Sequence, residues 1–297
     1  MTETAMDFAA ARAAVGGALA VVCDAQLDDV PAPVREAIQY SLLGEGKRLR
    51  GVLTLEAFDA AGGVGDAADL AAAIEVVHAY SLVHDDLPCM DDDDMRRGRP
   101  TVHKVFGVRV ATAAGLAMVP LAARSAARAA RDLGLDDRTA GDIVAELMRA
   151  SGAGGMIGGQ LLDLEGEDRA LGLDDLERIH RAKTGALITA SAVVGGRAAQ
   201  APPERLAALA RYGAAVGLAF QIVDDVLDLT ATTDQLGKTA GRDLALKKST
   251  YPALLGIDGA RARAVALIDD GCRALDDVGL LTPPLERLAR FSVERTS

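Results

Sequence analysis

Residues 84–101 read HDDLPCMDDDDMRRGRPT, with Asp85, Asp86 and Asp91 to Asp94 followed at once by Arg96, Arg97 and Arg99. Clustered carboxylates collect hard cations, because their oxygens are the ligands Mg²⁺ prefers. Clustered arginines collect phosphates, since each planar fork can grip two oxygens. Both signs side by side point to a ligand that is anionic and metal-bound together, such as a diphosphate. The plain alternative is a solvated loop whose charges neutralise one another. Leu82 and Val83 lead into the cluster, and Gly98 and Pro100 close it, so its order is not random, and on this stretch alone both readings stand.

Working upstream, Leu70, Ile74, Val77 and Ser81 recur at helical spacing, as do His78, Leu82 and Asp85, which predicts a helix from about 67 to 84. His78 lies two turns before Asp85 on nearly the same face, while Tyr80 and Ser81 lie about one turn before it. Asp85 and Asp91 are separated by about 600° on an ideal helix, so they would point apart. Leu87 to Met90 must therefore bulge or break if both carboxylates are to meet one set of metals. Pro88 supplies the reason, since it removes a backbone donor and crowds the preceding turn.

Further upstream, an Ala-rich helix over 5–23 is followed by a second helix restarting after Pro31 and Pro33. Next comes GEGKRLRG at 44–51, a glycine-flanked basic cluster opening the apolar run from Val52 to Phe58. Lys47 and Arg50 are three apart, so at a helix start they share a face and could hold one phosphate. A solvated helix entry is the simpler account of that cluster alone.

Downstream, helices are expected over 108–134 and 137–151. Gly154, Gly155, Gly158 and Gly159 then let neighbouring backbones approach Gln160 and Asp163. Asp174 and Asp175 read as the N-terminal cap of a helix running through Ile179. Lys183, Thr184 and Gly185 fall within helical pattern, where a buried lysine needs an anion. A helix from about 204 carries FQIVDDVLDL at 220–229, placing Gln221, Asp224 and Asp228 on one face. Asp224 and Asp228 repel at that spacing, and a cation between them would remove the cost. Lys238, Lys247 and Lys248 follow in a Gly-containing loop before another helix.

The chain has 297 residues, half of them apolar, 3% aromatic and none Trp. Small apolar side chains let helices pack closely, so composition points to an all-α protein. No 20–50-residue period or low-complexity linker breaks the chain, and one domain over 1–297 is the simplest division. A net charge of −11 argues against nucleic acid or an anionic membrane as partner. Cys23, Cys89 and Cys272 are few, scattered and odd in number, which suggests a reducing cytoplasm, with Cys89 read as a small filler. MTETAMDF lacks a basic n-region, so no signal peptide is expected. The longest nearly apolar run, 110–123, is interrupted by Thr112, Gly115 and Pro120 and is too short to span a bilayer.

Six segments together resemble the short-chain trans-prenyl diphosphate synthases, most of all the bacterial farnesyl diphosphate synthases. They are GKRLR at 46–50, HAYSLVHDDLPCMDDDDMRRGRPT at 78–101, GGQLLDL at 158–164, KTG at 183–185, FQIVDDVLDL at 220–229 and LGK…KKSTYPALLG at 236–256. The resemblance implies a single-domain all-α helical bundle of the isoprenoid-synthase type, its two acidic motifs facing each other across a central cavity. It implies head-to-tail condensation of an allylic diphosphate with isopentenyl diphosphate. Asp85, Asp91 and Asp224 would ligate Mg²⁺ (three ions per site, Mn²⁺ as alternative), with Asp86 and Asp228 supporting. Arg96, Lys183, Thr184, Gln221, Lys238 and Lys248 would hold the allylic diphosphate. Gly46, Lys47, Arg50, His78 and Arg97 would hold isopentenyl diphosphate. Asp85, Asp86, Asp91, Arg96, Lys183, Asp224 and Lys238 would carry the catalysis. A homodimer is likewise expected from the resemblance.

Three positions depart from the family pattern: Glu45 stands where Gly is usual, Gly51 where Pro is usual, and Leu116 where Asp is common. Glu45 is unhelpful beside a diphosphate unless it faces solvent or pairs with Arg48. Product length is expected to depend on Tyr80 and Ser81, with Tyr80 as a floor and farnesyl (C15) favoured over geranylgeranyl (C20) or geranyl (C10). Other readings are a terpene cyclase, a head-to-head synthase, a non-catalytic subunit of a mixed synthase and a calcium-binding helical protein. The intact acidic motifs and the basic residues count against them.

Overall fold

The computed structural model describes residues 8–167, 169–230 and 249–295. The protein is all-α; the only strands among the described residues are the two-residue pair of one small hairpin. The chain folds as two compact units, Met1–Met148 with Val194–Gln200, and Arg149–Val193 with Ala201–Ser297.

In the first unit, α1 (Ala9–Ala25), α2 (Ala32–Leu42), α3 (Leu49–Ala60) and α4 (Ala68–Asp85) follow one another. The hairpin β1 (Met95–Arg96) and β2 (Arg99–Pro100) leads into α5 (Val102–Phe106) and α6 (Val108–Asp132). Helix α7 (Asp137–Ser151) comes next. The central element is α4, packed by α1, α3 and α6. It is apolar nearly all round, as a helix enclosed by neighbours must be. Leu70, Ile74, Val76 and Val77 are fully buried, each contributing about 1.5–3 kcal/mol relative to exposure. Helix α6, which packs against it, buries Ala111, Ala114, Gly115, Met118 and Ala122. At Gly115 a Cβ would collide with the His84 ring, so the absence of a side chain sets how closely α4 and α6 approach.

The second unit contains α8 (Met156–Glu165), α9 (Leu173–His180), a π-helical turn (Arg181–Gly185), the start of α10 (Ala186–Ala198), α11 (Pro203–Thr230), α12 (Tyr251–Asp276) and α13 (Pro283–Glu294). The longest, α11, packs along α12. The Tyr212 hydroxyl donates to the Leu285 carbonyl at 2.6 Å and ties α11 to α13. Thr250 caps α12, and Gly256, at φ 71, kinks it.

Three expectations need correction. Gly172 is the N-cap of α9; Asp174 and Asp175 sit in its first turn and make no capping bond. Their charges still suit the helix dipole there. Cys89 is exposed and fills nothing. The apolar run at 110–123 belongs to a 25-residue helix, and α6 and α11 are both long and apolar enough to cross a membrane. Both are instead faces of packed bundles, with α6 against α4 and α11 against α12. Lys238, Lys247 and Lys248 lie outside the described residues.

Candidate active site

The first acidic motif breaks around Pro88. Helix α4 ends at Asp85 and the chain turns back, so that the Asp91 N–H donates to the Asp85 carbonyl at 2.8 Å. Met90 and Asp92 both donate to the Leu87 carbonyl. Two aspartates that a continuous helix would separate are thus brought together by a tight turn. Asp86 is buried within it, and burial holds its carboxyl above the usual range against the pull of Arg96. Arg96 donates to Asp86 through Nε at 3.0 Å and through Nη2, and reaches Asp93 at 3.1 Å. Asp92, Asp94 and His103 bring ligand atoms within 4.8 Å of one another beside this turn. Sequence reading did not single out His103.

The hairpin aims the arginines. Its two turn residues, Arg97 (φ 53) and Gly98 (φ 73), are both left-handed, the geometry that suits the twist of a two-residue hairpin. Glycine adopts it freely, whereas Arg97 is strained, a feature that clusters at functional sites. Arg97 reaches back to the Glu45 carbonyl at 3.1 Å and approaches His78 Nε2 at 3.5 Å. Its Nη1 fills the space a Cβ at Gly46 would need. The loop before α3, the middle of α4 and the hairpin therefore converge on one cationic cluster. Burial, then the charges of Arg50, Arg97, Arg96 and Arg48, hold the His78 pKa well below its ordinary value. His78 is neutral at pH 7, so it can accept from Arg97 or donate to an anion but adds no charge. The Glu45 side chain is exposed.

Tyr80 and Ser81 lie one turn before Asp85, both buried. The Tyr80 ring meets His84 edge-on at 5.6 Å, and His84 Nε2 lies 3.1 Å from the Thr112 carbonyl of α6. The Ser81 hydroxyl turns back to the His78 carbonyl. The ring is thus held on the α6 side of α4, leaving Ser81 a small neighbour.

In the second unit, the Lys183 ammonium finds its anion in Asp163 at 2.7 Å. The π-helical turn that carries Lys183 packs its backbone against Gly159, where no Cβ could fit. Such turns mark functional sites in many helices. Thr184 donates to the Gln221 side-chain carbonyl at 2.9 Å, and the Gln221 amide reaches Asp225 at 3.4 Å. Buried Asp225 also accepts the Tyr251 N–H at 3.0 Å, a structural bond at the start of α12. Asp228 is buried and Asp224 part-exposed. Arg295, which sequence reading missed, donates to Asp224 and to the Phe220 carbonyl. A cavity of about 510 Å³ lined by Arg149, Glu177, Arg178 and Arg181 contains none of the predicted site residues.

An aspartate turn stands beside a basic hairpin on an all-α frame, and comparison with known proteins defines the class of protein as a prenyltransferase. The family model for polyprenyl synthetases matches residues 31–273, and the chain belongs to that family. It is 47% identical over 268 residues to Escherichia coli K12 farnesyl diphosphate synthase, 89% of each chain. It is 44% identical over 246 residues to the chloroplastic geranylgeranyl pyrophosphate synthase of Catharanthus roseus, covering 82% of this chain and 68% of that one. Among solved structures, geranylgeranyl pyrophosphate synthetase of Pyrococcus horikoshii matches with a TM-score of 0.86 at 31% identity, over 99% of this chain and 98% of that one. The fold is the all-α isoprenoid synthase fold.

Proposed function

We propose that the protein condenses isopentenyl diphosphate head-to-tail with dimethylallyl and then geranyl diphosphate to give farnesyl diphosphate. The observation that carries this is the Asp85–Asp91 turn beside Arg96 and Arg97, in a chain 47% identical to a farnesyl diphosphate synthase. The proposed donors, Asp85, Asp86 and Asp91 in the first unit and Asp224 and Asp228 in the second, are all carboxylates, which fits hard divalent cations. When bound, Mg²⁺ (three ions, with Mn²⁺ as substitute) offsets the charge developing on the leaving diphosphate.

The chain's own groups do the rest. Lys183, Thr184, Gln221 and Arg96, with Lys238 and Lys248, orient the allylic diphosphate. For Lys183 and Arg96 this means exchanging Asp163 and Asp86 for phosphate oxygens, since a flexible cation already paired with a carboxylate can swap one anion for another. Gly46, Lys47, Arg50, His78 and Arg97 hold isopentenyl diphosphate. The allylic C–O bond breaks to give an allylic carbocation, the isopentenyl double bond attacks that cation, and the departed diphosphate takes the proton then released. No protein base is required. His78, whose pKa is held low by burial and the surrounding arginines, is a weak base and suits donation to phosphate better than proton abstraction.

Tyr80 supports the C15 product, as a buried ring one turn below Asp85. The C20 alternative draws on small Ser81 beside it and on the geranylgeranyl synthases among the relatives. The family match runs through both units, which supports one catalytic domain over 1–297. A homodimer fits the exposed Val105, Val108 and Leu116. The location proposed is the cytoplasm, where free Cys23, Cys89 and Cys272 stay reduced.

The test is incubation with Mg²⁺, isopentenyl diphosphate and dimethylallyl or geranyl diphosphate, with the products resolved by chain length. Farnesyl diphosphate is expected, and Asp85→Ala and Asp224→Ala should each cut turnover by orders of magnitude. Near-normal turnover in a purified variant would reject the metal assignment. Lys47→Ala and Arg97→Ala should mainly raise the KM for isopentenyl diphosphate, and Lys183→Ala and Lys248→Ala that for the allylic substrate. Light scattering tests the dimer.

A further inference from the structure

Glu75 lies on α4 one turn before His78 and is 2% exposed. A carboxylate so buried is costly unless paired and hydrogen-bonded. Both of its oxygens are used, and both reach the loop that opens α3. The Gly51 N–H donates to Oε1 at 2.9 Å, and Arg48 Nη1 lies 3.9 Å from Oε2. Arg48 sits at φ 50, a left-handed conformation costly for a residue with a side chain. Its Nη2 donates to the carbonyls of Leu42 at 2.7 Å and Gly44 at 2.6 Å. The segment Gly44–Gly51 is therefore fastened at both ends through Arg48 and one carboxylate.

Gly51 explains its own departure from the family pattern. A proline there would lack the N–H that Glu75 accepts. A Cβ would also come within 2.9 Å of Val15 and 3.2 Å of the Glu75 stem. Between the two fastened points stand Gly46, Lys47 and Arg50. Glu75 is also the leading charged neighbour acting on Arg97, opposing the effect of that residue's burial. One buried anion thus sits among cations that would otherwise repel one another.

We propose that Glu75 is a positioning residue for isopentenyl diphosphate. Its carboxylate clasps Gly51 and Arg48, so that the 46–50 loop and Arg97 are pre-set around one diphosphate. This rests on assigning Lys47, Arg50 and Arg97 to that substrate. An anion cannot itself bind a diphosphate, so Glu75 acts through the loop.

The test measures steady-state kinetics of Glu75→Gln, Gly51→Pro and Lys47→Ala, with thermal unfolding of each. Glu75→Gln keeps the shape and an acceptor for Gly51 but removes the charge. Gly51→Pro removes the donor at a first-turn position where no helical hydrogen bond is lost, and because its Cβ also presses on Val15, its thermal unfolding reads that crowding separately. Each should raise the KM for isopentenyl diphosphate about tenfold, the size of one lost charge-assisted contact. The KM for the allylic substrate and kcat should stay within about twofold. A fall in kcat or a rise in both KM values together would mark a general structural role and overturn the proposal. An unchanged isopentenyl KM in both clasp variants, while Lys47→Ala raises it, overturns the clasp and leaves the site assignment standing. An unchanged KM in Lys47→Ala removes the site assignment and the clasp with it. Should either clasp variant fail to fold, the other decides.

Discussion

The Arg295 guanidinium donates to a carboxylate oxygen of Asp224 and lies over the Phe220 ring, 3.9 Å from its centroid. The pair joins the end of the described chain to a proposed metal ligand. Arg295 occupies an oxygen that a cation would use, and the two must compete. Arg295→Ala should therefore lower the Mg²⁺ concentration needed for half-maximal rate several-fold. It should also destabilise the metal-free protein by about 1–3 kcal/mol, since a charge-assisted bond is lost beside a part-exposed carboxylate. A metal titration of the rate, paired with urea unfolding, checks both. An unchanged Mg²⁺ requirement would mean that Arg295 only fastens the segment after α13 to α11.

Gly159 packs against the Lys183 backbone, where a Cβ would collide with the peptide of the π-helical turn. Gly159→Ala must push that turn away. The expected cost is about 1–3 kcal/mol of stability, as for other overpacked sites. Because Lys183 and Thr184 ride on the turn, the KM for the allylic substrate should rise more than that for isopentenyl diphosphate. Equal effects on both substrates would argue against the assignment of Lys183.

Tyr80 is buried edge-on against His84, whose imidazole is fixed to the Thr112 carbonyl. Tyr80→Ala removes the proposed floor and should move products from C15 towards C20 with much of the rate retained. It should also cost about 3 kcal/mol or more of stability through the cavity it leaves. Product analysis below the variant's melting temperature separates the two effects. An unchanged product distribution would place the floor elsewhere.

His180 is buried against Tyr251, with ring centroids 5.7 Å apart. Burial lowers its pKa to about 4, although Asp163, Asp224 and Glu177 pull upward while Lys183 adds to the lowering. In the unfolded chain it titrates near its ordinary value of about 6.5. Between pH 6.5 and 4 the unfolded state binds the extra proton, so stability is full above this window and falls as pH drops through it. The loss approaches about 3 kcal/mol. His78, also depressed, adds a loss of the same sign. His180→Gln should lose less stability than the parent between pH 7.5 and 4.5 in urea titrations. Parallel losses would mean that groups other than His180 dominate the acid response.

Much of the molecule follows from local patterns. The apolar spacing of Leu70, Ile74 and Val77 was enough to define α4, because helical periodicity is a property of neighbours three and four apart. Pro88 pointed to the break between Asp85 and Asp91, since it removes a backbone donor and crowds the preceding turn, although α6 continues through Pro120 and shows that such a cost can be absorbed. The two acidic motifs and their basic companions were legible for the same reason: their chemistry is concentrated in short stretches. Local cues also misled, as at Asp174 and Asp175, where a favourable cap type lost to the backbone geometry at Gly172.

What tertiary structure alone decided is which distant groups meet. Lys183 finds Asp163 across 20 residues, Gly51 finds Glu75 across 24, and Arg295 finds Asp224 across 71. Nothing in the spacing of these pairs distinguishes them from other acids and donors in the chain. Burial makes the selection, because a polar group removed from water must be satisfied by whatever the packed helices bring beside it. Gly51 shows both levels at once. Its departure from the family pattern was visible in the sequence, but its reason, a buried carboxylate on the next helix that needs its N–H, exists only in the fold.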